Sequence, residues 1–90
     1  MRGVWILQEQ RMKPAPFGLH VPACQPYVKA FTSLTVLLDN IPELTPHRRE
    51  IYSDSAKGQQ TRGRYESNGI THDFALIRVE LTKPTPRNAL

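Results

Sequence analysis

Near the start of the chain the apolar side chains come as a block, Val4-Trp5-Ile6-Leu7, and then give way to mainly polar positions. That is the pattern of a strand with one face buried, expected over residues 4–12. The strongest local signal lies near the other end, where residues 64–82 read RYESNGITHDFALIRVELT. Two runs rich in β-branched and aromatic side chains flank Asn68-Gly69, which supplies the two positive-φ positions of a type I′ turn. A two-residue loop sets Tyr65 opposite His72, Arg64 opposite Asp73 and Gly63 opposite Phe74. These pairings place opposite charges together and let the Phe74 ring cover a backbone that has no side chain of its own. Ala75, Ile77, Val79 and Leu81 alternate with Arg78 and Glu80 and are expected to face the core. Phe74 and Leu76 then fall on the opposite face, which predicts either cover on both faces near the turn or a bulge near Ala75.

Between these strands the pattern is less regular. Pro14, Pro16, Pro22 and Pro26 fix φ and remove backbone donors, so residues 13–26 are expected as a loop of extended character. Phe17, Leu19 and Val21 suggest that this loop packs down on the domain. Over residues 27–40, Val28, Phe31, Leu34, Leu38 and Ile41 recur at helical spacing, whereas Thr32, Thr35 and Val36 favour a strand. Helix is the expectation, and Pro42 stops it near Ile41. Thr45-Pro46 has the form of an N-cap followed by proline, predicting a second helix over residues 47–57 that ends at Gly58. Its inward face would be thin, with Ile51, Tyr52 and Ala56, leaving Arg48 and Arg49 exposed.

Together these elements predict a small α+β domain over residues 1–82, an antiparallel sheet of the N-terminal strand plus the C-terminal hairpin packed by one or two helices. If residues 27–40 are strand, the alternative is a small all-β barrel. Residues 83–90 are expected as an extended or frayed tail.

Composition narrows the partners more than the chemistry. Of 90 residues 39% are hydrophobic and 22% charged, near the globular average, with a formal net charge of +4. No apolar run approaches the roughly 18 residues needed to span a bilayer, and Gln8 to Arg11 interrupt the segment that would make a signal peptide. The single cysteine, Cys24, has no internal disulfide partner. A cytoplasmic protein that is not secreted and has no membrane partner is expected. The positive charge is segmental: Arg2, Arg11, Lys13 and Lys29 stand against Glu9, and Arg48, Arg49, Lys57, Arg62 and Arg64 against Glu50 and Asp54.

The sequence lacks a phosphate-binding glycine loop, a CxxC pair, HExxH and GxSxG. His20 and Cys24 lie four apart, but Pro22 between them denies the helical face that would aim both, with His47 or His72, at one metal. His72 and Asp73 point to opposite faces of a strand and make no acid–base pair with Cys24 as nucleophile. Glu43 and Glu50 read as solvating charges. The expectation is a protein without enzyme activity, cofactor or metal.

The segment from Lys57 to Tyr65, KGQQTRGRY, carries the strongest chemistry. Its bases neutralise phosphate, its glycines let the main chain approach and its tyrosine offers a face to an unstacked base. Arg62-Gly63-Arg64-Tyr65 resembles the arginine-glycine segments of RNA-binding proteins. The expected function is that of a small basic accessory protein contacting RNA or single-stranded DNA. Arg48, Arg49, Lys57, Arg62 and Arg64 would sit on phosphates, with Tyr65, joined by His72, stacking. An acidic protein surface is the other partner that such charge attracts. The alternative is an interaction module or inhibitor acting through a sheet edge or through Trp5, Phe17 and Tyr27 as aromatic anchors.

Overall fold

The first strand, β1, spans Arg2–Pro14 and organises everything else. The computed structural model describes residues 2–81, and the expected tail at 83–90 lies outside the described residues. β1 is followed by β2 (His20–Pro22), β3 (Tyr27–Phe31), α1 (Leu34–Asn40), α2 (Arg48–Ala56), β4 (Thr61–Ser67) and β5 (Ile70–Leu81). The strands form one antiparallel sheet in the order β2-β1-β5-β4, with β3 beside β2 on the same edge of β1. This is the expected small α+β domain, with five strands where the sequence pattern predicts three.

The β4–β5 hairpin has the expected turn and register. Asn68 and Gly69 take φ of 52° and 75°, and Tyr65–His72, Arg64–Asp73 and Gly63–Phe74 face one another. A Cβ added at Gly63 would lie 2.8 Å from the Phe74 ring, so the glycine is required by the packing of that ring.

Residues 27–40 are neither one helix nor one strand. Tyr27–Phe31 pair with β1, with Trp5 opposite Phe31 and Glu9 opposite Tyr27. The chain then turns at Ser33, whose hydroxyl accepts from the Val36 amide at 3.1 Å and caps α1. The helical spacing and the β-branched residues were both real signals, belonging to adjacent short elements. Pro42 ends α1 as expected, but it also opens a 3-10 turn, Pro42–His47, that runs straight on into α2. Helical winding thus begins before Thr45, which is not the N-cap. At the far end Gly58 has φ of 68°, and the amides of Gly58 and Gln59 close on the carbonyls of Ser55 and Asp54, the Schellman pattern that stops a helix.

The prolines of residues 13–26 do not exclude pairing. Pro14 and Pro22 sit at strand ends, and β2 returns along β1 with Lys13 opposite Val21. A 3-10 turn at Pro16–Gly18 joins the two strands, with Phe17 and Gly18 both at positive φ. The apolar residues here do not pack down as expected: Phe17 is 98% exposed.

The helices lie on one face of the sheet and decide which strand residues are core. Trp5, Leu7, Phe74 and Leu76 are buried from the sheet, and Leu34, Leu37, Ile41, Leu44 and Ile51 from the helical layer. Each fully buried leucine contributes about 1.5–3 kcal/mol relative to exposure. The inward set expected on β5 is therefore corrected. Phe74 and Leu76 face the core, while Ala75 and Ile77 are only partly covered and Val79 is 41% exposed. No bulge switches the register, since β5 pairs with β1 without interruption from Thr71 to Leu81. In α2 only Ile51 of the three expected residues points inward; Tyr52 and Ala56 are exposed, and Leu44 of the preceding turn takes their place. No helix among the described residues is long and apolar enough to cross a membrane.

Candidate functional site

The six candidate contact residues divide among four places. Arg48 and Arg49 open α2 and are exposed on its outer side. Lys57 stands at the C-terminal turn of α2, tied to β4 because the Thr61 hydroxyl donates to Asp54 Oδ2 at 2.7 Å. Arg62 and Arg64 project from β4 onto the sheet face away from the helices, and Tyr65, next along the strand, turns to the helical side. Arg62 and Arg64 thus share one sheet face, while Arg48, Arg49 and Lys57 lie along α2 and Tyr65 is on the covered side.

Arg64 is engaged within the protein. Its Nε lies 2.5 Å from Asp73 Oδ1 and its Nη2 3.3 Å from Asp73 Oδ2, a two-pronged pair that raises the guanidinium pKa through the hydrogen bond to Asp73. Its Nη1 also lies 3.4 Å from His20 Nδ1. Arg62, two residues earlier on the same face, donates instead to Gln60 Oε1 at 2.9 Å and faces no carboxylate.

Tyr65 is held from several sides. Its ring stacks on His72 with centroids 4.8 Å apart and planes 13° off parallel, and its hydroxyl donates to Glu9 Oε2. Burial, and then the hydrogen bond to Glu9, push the phenol well above its ordinary value of 10.0. Glu9 is 1% exposed, and its other oxygen has Lys29 Nζ at 3.6 Å. The two residues that the hairpin register sets opposite one another thus stack on each other, and His72 is buried. The face that Tyr65 was expected to offer a base is thus taken by a protein partner.

Other sequence candidates are also dispersed. His47 lies edge-on to Phe74 at 5.2 Å, His20 is beside Arg64 and Cys24 is exposed. Among the described residues no group of three or more His, Cys, Asp or Glu is placed to hold a metal ion. Of the aromatic anchors, Trp5 is in the core, Tyr27 is half-buried and Phe17 stands clear at the tip of the β1–β2 arm.

One aromatic with the right surroundings was missed. Tyr52 is 49% exposed on α2, one turn after Arg48, whose guanidinium lies 5.7 Å from the ring centroid. The four-residue spacing of Arg48 and Tyr52 is visible in the sequence, but a helix with so few other apolar residues draws Tyr52 into the expected inward face.

No protein-family model matches this chain, and comparison with curated proteins and with solved structures finds no match. The functional reading accordingly rests on the site itself.

Proposed function

We propose that this is a small non-enzymatic accessory protein that contacts nucleic acid through the cations its own carboxylates leave free. One observation carries the reading. Among the described residues Lys29, His47, Arg64 and Arg78 each have a carboxylate oxygen within 4.0 Å, and Arg11, Lys13, Arg48, Arg49, Lys57 and Arg62 do not. Arg48 and Arg49 begin α2 and Lys57 follows its end, so three of these cations flank one helix, and Arg62 adds a fourth on the far face of β4. A phosphate backbone answers such a distribution without requiring a shaped pocket.

Titration of a labelled single-stranded oligonucleotide against salt tests this. Four phosphate contacts give a slope of log affinity on log salt of about −2.8, at roughly −0.7 each. Arg62→Gln flattens that slope by about 0.7, whereas Arg64→Gln leaves it unchanged because Asp73 already neutralises Arg64. Absence of binding at low salt, or binding indifferent to salt, overturns the proposal.

A second reading is favoured by the bare face of the sheet. Val4, Ile6, Ala75, Ile77 and Val79 lie side by side on β1 and β5 with no helix among the described residues over them, and Val28 extends the strip onto β3. A protein-interaction module would use this strip, and association through it would persist as salt rises.

A further inference from the structure

We infer that the groove between α1 and α2 is a pocket for one unpaired nucleobase, with guanine preferred, and that Tyr52 is its stacking residue. The inference rests on the nucleic-acid reading above and names what that site recognises.

The groove has a volume of about 370 Å3, at the small end of the roughly 300–1,000 Å3 usual for ligand pockets. Leu38 and Pro42 provide apolar wall, Thr45 a hydroxyl, and Asp39, Arg48 and Tyr52 the chemistry. A half-exposed aromatic ring beside an arginine is the pairing on which an unstacked base settles, because every base has a π face and its phosphate lies within reach of a cation. In the free protein Arg48 sits by the Tyr52 ring; on binding, the base takes the ring face and the guanidinium turns to the adjoining phosphate. Arg49, next in the chain and exposed, extends the phosphate track.

Asp39 selects the base. It forms no ion pair with any described residue and lines the same groove as Arg48. A carboxylate repels phosphate, so the part of the ligand that enters must bring N–H donors. Guanine presents two adjacent ones on its Watson–Crick edge, at N1 and N2. Adenine presents a lone pair at the corresponding ring nitrogen, which faces a carboxylate unfavourably. Uracil has a single N–H between two carbonyls.

The test uses the full chain and short labelled single-stranded RNAs, an adenine tract and the same tract with one central guanine. The wild type binds the guanine-bearing strand more tightly. Tyr52→Ala weakens binding by about 5- to 150-fold, the range of a lost base stack, at unchanged salt slope. Tyr52→Phe restores it, since the ring and not the hydroxyl carries the stack. Asp39→Asn abolishes the preference for guanine while leaving the adenine tract bound as before. Both side chains are exposed, and circular dichroism confirms that the variants fold. Equal binding of the two strands by the wild type, or an unchanged affinity in Tyr52→Ala, overturns the pocket while salt-dependent binding keeps the broader reading. Failure of both strands to bind at low salt overturns both readings.

Discussion

The two faces of the sheet carry similar side chains and have opposite fates. On one, Leu7, Phe74 and Leu76 are sealed under α1, α2 and the turn between them. On the other, Ile6, Ile77 and Val79 occupy neighbouring positions of the same two strands and remain partly in water. Residues 74–77 are all apolar, so alternation alone names two candidate cores and does not choose between them. The choice is made by a layer of leucines and isoleucines from residues 34–51, which can lie on one face only. An apolar strand residue becomes core because of what packs on it.

The largest consequence is a difference in stability between adjacent residues. Leu76→Ala should cost about 2–5 kcal/mol in chemical denaturation, since it opens a cavity under the helices. Ile77→Ala, on the face without helices, should cost less, about 1–2 kcal/mol, because the side chain is only partly covered there. Equal losses would mean that the open face is covered in solution, and would turn attention to the interaction reading.

A smaller effect separates the faces by addition instead of removal. Gly63→Ala drives a methyl group to 2.8 Å from the Phe74 ring under the helices and should cost about 1–3 kcal/mol. Arg62→Ala, the preceding position on the open side, should leave the denaturation midpoint within error.

The buried rim of the covered face should be visible to pH. With its pKa raised by burial and by Glu9, the Tyr65 phenol keeps its proton in the folded chain above pH 10.0, where the unfolded chain loses it. The folded state then holds more protons, so this contribution is complete below the ordinary tyrosine value and is lost as pH rises toward the folded one. Tyr65→Phe should cost about 1–3 kcal/mol near neutrality by leaving a Glu9 oxygen without its donor. It should also remove that alkaline loss. Ultraviolet difference spectra between wild type and Tyr65→Phe should show no Tyr65 phenolate until unfolding; a phenolate appearing in the folded protein near pH 10.0 contradicts the buried hydrogen bond.

What the sequence determined by itself is local. Asn68-Gly69 settled the turn, and with it the pairing of six residues, because a type I′ loop leaves one register. Pro42 and Gly58 set helix limits for reasons contained in their own backbones, and Val4-Trp5-Ile6-Leu7 announced the strand on which the sheet is built. Arg48 and Arg49 were legible as exposed charge because the thin apolar face of their helix left them outside it. What only the tertiary structure decided is which partner each two-sided residue met. Residues 27–40 divided into strand and helix because β1 had an open edge to accept Tyr27–Phe31 and no further. Tyr65 went to Glu9, 56 positions away, and Tyr52 was released to solvent because Leu44 and Ile51 filled the core beneath it. Periodicity and turn chemistry act between near neighbours, whereas burial is a property of the face that a distant segment happens to cover.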